Sequence, residues 1–166
     1  LIYSDVYATM ALAAEHTSKI KLGTLVSIPS NRIAPVTASA IATINKLAPG
    51  RVILAMGTGY TGRNTMGLPA ITIDQLREYT QQVQGLLRGE DVLFKEGDKE
   101  RWVRLIHGDQ EEFINIKDPI SVYLAANGPR GQQVVGEIAD GWVTTLRVRR
   151  SLEPEIATIS DAAGRA

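Results

Sequence analysis

Three glycines come closest to a recognisable chemical pattern. The apolar run Val52 to Met56 breaks into Gly57-Thr58-Gly59, and Gly62 follows three residues later. A strand that ends in a glycine-rich loop is how an α/β protein brings backbone N–H groups up to a ligand. Taken literally, Gly57, Gly59 and Gly62 match the dinucleotide spacing G-x-G-x-x-G. That spacing needs a helix to open at once, so that its N-terminus can hold a pyrophosphate. Here Gly67 and Pro69 follow, and no helical pattern begins before Thr72. The expectation is a strand, a long functional loop and then a helix. A nicotinamide-binding open sheet stands as an alternative, but Asp74, the acidic residue at nearly the right distance, starts a helix instead of ending a strand.

Charge gives the second signal. Loops at about 27–35, 57–71, 127–131 and 146–151 contain Arg32, Arg63, Arg130, Arg147, Arg149 and Arg150, with no Asp or Glu among them. The whole chain balances 18 basic against 18 acidic residues, so the segregation is local. A mouth of one charge sign, with a helix N-terminus at Gly128-Pro129, suits an anion such as a phosphate. Other chemistry is excluded by what these loops lack. No carboxylate pair is present for glycoside hydrolysis, and His16 and His107 are too few and too separated for a zinc site. There is no P-loop, and Ser27, Ser30 and Ser39 lack a nucleophile elbow. Without cysteine there is no disulfide, thiolate nucleophile or sulfur-ligated metal.

The elements that must position these residues alternate. Residues 4–18 carry a helical stripe of Tyr7, Met10, Ala11 and Ala14, and Ile20 to Ile28 reads as a strand stopped by Pro29. Pro35 opens a helix with Val36, Ala40, Ile41, Ile44 and Leu47 on one side, and a strand at 51–56 follows Pro49-Gly50. Thr72 and Gln75 have the form of a capping box for the next helix, which Gly89 stops. Residues 90–119 form an excursion, a hairpin of Val92–Phe94 and Trp102–Leu105, expected at the rim opposite the chemistry. Ile120 to Ala126 is a strand, Val134, Val135 and Ile138 mark a helix, Trp142 to Leu146 is a strand, and Glu153 to Ala163 is helical.

Such alternation predicts a parallel sheet covered by helices, in either a doubly wound sheet or part of a (β/α)8 barrel. A barrel needs roughly 250 residues, so four strands in 166 residues amount to about half of one. The expected domain is 1–166, incomplete at both ends; the chain opens Leu1-Ile2-Tyr3 without methionine and is expected to belong to something longer. Composition points to a cytoplasmic protein with no pull toward nucleic acid or membrane, since no apolar run approaches about 20 residues and no signal peptide opens the chain.

The ordered motifs Ala11-Leu-Ala-Ala-Glu-His-Thr-Ser-Lys-Ile-Lys-Leu-Gly-Thr24, Pro35 with Ala40-Ile-Ala-Thr43, Gly50-Arg-Val-Ile-Leu-Ala-Met-Gly-Thr-Gly59, Leu86-Leu-Arg-Gly-Glu90, Val122-Tyr-Leu-Ala-Ala-Asn-Gly-Pro129 and Gly136-Glu-Ile-Ala-Asp-Gly141 resemble the bacterial luciferase-like flavin-dependent monooxygenase and reductase superfamily. The resemblance implies a (β/α)8 TIM barrel that binds FMN, or a deazaflavin, beyond the carboxyl ends of its strands. It implies a non-proline cis peptide at Leu25-Val26 beneath the ring, with Thr58, Gly59, Tyr60 and Arg63 beside the cofactor. Ala126, Asn127 and Gly128 correspond to the phosphate-contacting turn. Some deazaflavin-using relatives carry a carboxylate where Tyr60 stands, which favours FMN.

The implied activity is that of a flavin-dependent oxidoreductase, a monooxygenase using reduced FMN on a small organic substrate. The alternatives are a deazaflavin-dependent reductase of the same fold and a non-catalytic half-barrel module. A homo-oligomer is expected, with a flavin reductase as partner where the flavin is shuttled. Arg32 or Arg63 is expected to stabilise the anionic reduced ring. No general acid or base can be assigned.

Overall fold

The computed structural model describes residues 4–106, 112–145 and 152–166; His107, Leu146, Arg147, Arg149 and Arg150 therefore lie outside the described residues. The expected alternation is present. In order it runs α1 (Val6–His16), β1 (Leu22–Gly23), α2 (Ala34–Leu47), β2 (Val52–Gly57), α3 (Tyr60–Asn64), α4 (Ile73–Leu87), β3 (Val92–Glu96), β4 (Lys99–Val103), β5 (Ser121–Ala125), α5 (Pro129–Ile138), β6 (Gly141–Val143) and α6 (Glu153–Ala163).

Local chemistry sets most of these boundaries. The Asp5 side chain accepts from the Tyr7 and Ala8 N–H groups and starts α1, whose buried residues are Tyr7, Met10 and Ala14. Pro35 sits in the first turn of α2, where its missing N–H costs nothing. The capping box of α4 is complete: Thr72 accepts from the Gln75 N–H, and the Gln75 side chain accepts from the Thr72 N–H. Gly89, at φ 76°, then turns the chain out of the helix.

β1, β2, β5 and β6 lie in that order in one parallel sheet. The order advances in one direction and never reverses, so there is no switch point of the kind a doubly wound nucleotide-binding sheet uses. Parallel strands following one another in chain order are the arrangement of a (β/α)8 barrel wall. Leu22, Val52, Leu54, Met56, Val122 and Leu124 face the helices and join Ile41, Ile44, Leu76, Val83, Leu86 and Val135 in the core. The register places Gly23, Ile53 and Ser121, then Ala55, Tyr123 and Gly141, then Gly57, Ala125 and Val143 on the other face. That face carries no charged side chain.

Three expectations change. The strand expected from Ile20 to Ile28 is regular only over Leu22–Gly23 and rejoins β2 at a single bridge, Ser27 with Met56. A short helix, α3, follows Gly59 directly where a continuous loop was expected. The excursion is an antiparallel hairpin, as expected, but it does not stay at the far rim. Gln82 Nε2 donates to the Leu93 carbonyl at 3.2 Å, and the hairpin climbs beside α4. Its tip residues Phe94, Lys95 and Glu96 share a groove of about 390 Å³ with Pro29–Ala34, the segment beyond β1. The return of the excursion is pinned by fully buried Asn45, whose Nδ2 donates to the carbonyls of Asn115 (3.0 Å) and Asp118 (2.9 Å). No helix among the described residues is long and apolar enough to cross a membrane.

Arg51, one residue before β2, closes the opposite end of α1. Its guanidinium donates to the carbonyls of Ala14, Thr17 and Ile20 and to the Thr17 hydroxyl at 2.9–3.3 Å. It thus supplies donors and positive charge where a helix C-terminus lacks partners. Arg51→Ala should lower stability by about 1–3 kcal/mol, measured by urea unfolding, with Arg51→Lys intermediate. An unchanged midpoint would remove this brace from the account.

Candidate functional site

Because β2 and β5 pair through Gly57 and Ala125, the residues that follow them, Thr58 and Ala126, leave the sheet side by side. Leu25, Val26, Thr58, Gly59, Ala126, Asn127 and Gly128 are thereby brought to one edge of the sheet. They meet along that edge, and none of them lines either of two surface grooves. The 390 Å³ groove lies at the flank of the edge, and a second groove of about 410 Å³ lies at the opposite rim between Gln84, Arg88, Lys117 and Asp140.

The peptide bond Leu25-Val26 is cis, as the resemblance implied. Leu25 projects outward at 80% exposure, while Val26 is half-buried against Gly57. Behind this segment Thr24 is buried, and its hydroxyl donates to the Ala55 carbonyl at 2.5 Å and accepts from the Ala55 N–H at 2.8 Å. Ser27 Oγ lies 2.9 Å from Tyr7 Oη.

The glycine spacing has a packing explanation. A Cβ on Gly59 would stand 2.5 Å from Ile28 Cγ2, and one on Gly62 would stand 2.8 Å from Ile28 Cδ1. A Cβ on Gly57 would approach Val26 at 3.1 Å. The three glycines let the chain after β2 lie against the chain after β1, which corrects the dinucleotide reading. Gly59 also adopts φ 77°. The loop closes on itself where the Ile71 N–H donates to the Thr58 carbonyl at 3.0 Å. Arg63 ties it further, with Nε on the Pro69 carbonyl and Nη1 on Ser30 Oγ. Tyr60 stays 73% exposed beside Gly59.

After β5, three donors hold the turn from behind. Trp142 Nε1 donates to the Ala126 carbonyl (2.8 Å), Gln132 Nε2 to the Asn127 carbonyl (3.1 Å) and Thr144 Oγ1 to Asn127 Oδ1 (3.1 Å). These acceptors are satisfied, so the turn offers donors: the Asn127 amide nitrogen and the first N–H groups of α5, which has no side-chain cap. A Cβ on Gly128 would meet nothing within 4 Å.

The acid-free mouth is corrected by partners distant in sequence. Arg32 pairs with Asp5 at 2.9 Å and stacks over the Tyr7 ring at 4.5 Å, and Arg130 pairs with Asp74 at 2.7 Å. Both carboxylates sit at helix N-termini on the same side of the sheet. Sequence reading missed them because it counted charges loop by loop. It also missed Thr24, Trp142 and Thr144, whose roles depend on the register. Tyr79 donates to the Arg32 carbonyl at 2.9 Å and accepts from Thr37 at 2.6 Å. Burial pushes its phenol up to about 12, so it remains a donor at any working pH.

Two measurements follow. Gly59→Ala should cost about 1–3 kcal/mol of stability by denaturant titration, since the added methyl is strained and meets Ile28. The Ala8 N–H foremost, with Arg32, holds the Asp5 carboxyl below its ordinary range, against the opposing effect of desolvation. A depressed folded value means this stabilisation is present above the unfolded value near 4 and is lost as pH falls through the folded one. Asp5→Asn should therefore flatten the acid limb of a stability–pH profile, and an unaltered limb would contradict the assignment.

The family of luciferase-like monooxygenases matches residues 2–166. The 5,10-methylenetetrahydromethanopterin reductase of Methanolobus tindarius is 30% identical over 98% of this chain and 48% of its own length. An F420-dependent glucose-6-phosphate dehydrogenase of Nakamurella multipartita is 35% identical over 78% of this chain and 38% of its own. The coenzyme F420-dependent tetrahydromethanopterin reductase of Methanopyrus kandleri superposes with a TM-score of 0.76 at 28% identity, over 98% of this chain and 50% of that one. The chain thus spans half or less of the length of the relatives it matches, and its four parallel strands with their helices are about half of such a TIM-type barrel. On the ordered motifs, the parallel sheet in chain order and the near-complete match, the chain belongs to the luciferase-like monooxygenase family.

Proposed function

We propose that this chain carries the cofactor-binding side of an oxidoreductase that uses a deazaflavin or flavin on a small organic substrate. One observation carries the reading. A single edge of the sheet presents an apolar, backbone-lined excursion at Leu25-Val26 and, two strands away, a turn whose acceptors are satisfied from behind. The first suits a flat heterocycle, the second a phosphate, and the spacing between suits one elongated molecule with both. The cofactor, when bound, would supply or accept a hydride. Leu25 and Val26 would back the ring, Thr58, Gly59 and Tyr60 would flank it, and Asn127 and the N–H groups after Gly128 would hold the anionic end. Arg63 contributes by fixing the 58–71 loop to Ser30, and Arg32 by fixing the segment beyond β1 to α1.

The relatives at 30–35% identity are named as a methanopterin reductase and F420-dependent dehydrogenases, which favours deazaflavin hydride transfer over the FMN oxygenation first expected. The FMN monooxygenase reading keeps one observation in its favour: exposed Tyr60 stands where a carboxylate occurs in some deazaflavin users. A cytoplasmic setting, a homo-oligomeric assembly and, on the FMN reading, a partner flavin reductase complete the proposal. Titration with coenzyme F420 and with FMN, followed by the visible bands, tests it. F420 should bind more tightly than FMN, and Arg63→Ala should weaken binding about ten-fold by loosening the loop. Saturable binding of neither chromophore would end the proposal.

A further inference from the structure

We infer that Thr24 is a positioning residue for the cofactor ring, its hydroxyl holding the Leu25-Val26 excursion out at the mouth. This rests on the reading above. The rungs of the ladder between β1 and β2 are regular only at first. The Leu22 N–H donates to Arg51 O at 2.8 Å and the Thr24 N–H to Ile53 O at 3.3 Å, an advance of two residues on each side. The next regular rung would join residue 26 to Ala55. Instead the Ser27 N–H reaches Ala55 O at 2.8 Å, and the Gly57 N–H returns to Ser27 O at 3.1 Å. The β1 side has spent one residue more than the β2 side, which is the definition of a bulge.

A bulge leaves a backbone group of the facing strand without its rung. In a regular parallel ladder the Ala55 N–H would meet the Thr24 carbonyl. Here it meets the Thr24 hydroxyl, and the same hydroxyl donates to the Ala55 carbonyl. One oxygen thus stands in for a peptide unit, accepting and donating on the same residue. Thr24 is 2% exposed, so no bulk water is available to do this instead. Valine has nearly the same shape and can do neither. With Val at 24, the buried Ala55 N–H is left unpaired, a costly state. Returning Thr24's backbone to the ladder would relieve it, and that draws Leu25 and Val26 back into register and away from the mouth. Serine keeps the hydroxyl and the bulge.

The test compares the unaltered chain with Thr24→Val, Thr24→Ser and Arg51→Ala, the last a destabilised control far from the mouth. Binding of coenzyme F420 and FMN is followed by their visible bands, and amide exchange is followed at Ala55 and Ser27. Thr24→Val should bind either chromophore about ten-fold more weakly, with its band nearer that of the free molecule, and exchange should quicken locally at Ala55 and Ser27. Thr24→Ser and Arg51→Ala should bind as the unaltered chain does. If Thr24→Val fails to fold, Thr24→Ala replaces it with the same expectation. Unchanged affinity in the Val or Ala variant overturns the inference, and so does an equal loss in Arg51→Ala. Should the unaltered chain bind neither chromophore, the functional reading falls. Thr24's hold on the excursion is then decided by exchange: local quickening in the Val or Ala variant alone upholds it, and quickening across the whole sheet overturns it.

Discussion

The central strand, β2, is the constraint to which the other elements answer. It is bonded along its length to β5 and at its start to β1, so the level at which its ladder ends fixes the level of every neighbouring loop. Its alternation divides the molecule. Val52, Leu54 and Met56 seal the helical layer, while Ala55 and Gly57 keep the other face shallow. The departure from regularity in its pairing with β1 falls at Ala55, one turn of the ladder below the mouth. The irregular backbone beyond β1 is therefore anchored in the most buried part of the sheet and not in the loop where it shows.

The arginines illustrate how far pairing matters beyond net charge. Arg51 fills the carbonyl end of a helix, Arg63 straps a loop, and Arg32 and Arg130 reach carboxylates that begin helices. Exposed pairs of this kind contribute little to stability, about 0–1 kcal/mol each. Their effect is geometric: each joins an element at one strand end to the helix beside it. The turn after β5 is shaped differently, by hydrogen bonds from Trp142, Gln132 and Thr144 that occupy its acceptors.

How much of this was visible in the chain itself differs by element. The helices showed themselves through apolar stripes and caps, and the Thr72–Gln75 box closes as its spacing demanded, but α2 buries Ala34, Ala38, Ile41 and Ile44 and leaves Val36 and Leu47 of its expected stripe exposed. β1 did not show itself, because Ile20 to Ile28 interrupts its apolar residues with Lys21, Thr24 and Ser27 at no strand-like alternation, and side-chain pattern is blind to a backbone slip of one residue. α3 was hidden by Gly67 and Pro69, which argued for a loop as far as Thr72; its single turn exists because Gly59 and Gly62 let it rest on Ile28. The charge of the rim was misjudged because Asp5 and Asp74 stand 27 and 56 residues from their partners. The cis peptide came from family likeness and from no feature of spacing.

The β3–β4 hairpin has a wider implication. Its first strand is held to α4 through Gln82, the chain that returns from it is held by Asn45, and its far end faces the segment that carries Arg32. It therefore acts as an outrigger. Because the hairpin is a sheet of its own, lengthening or shortening it by a residue pair would reshape the groove beside Arg32 while leaving every rung of the four-stranded sheet in place.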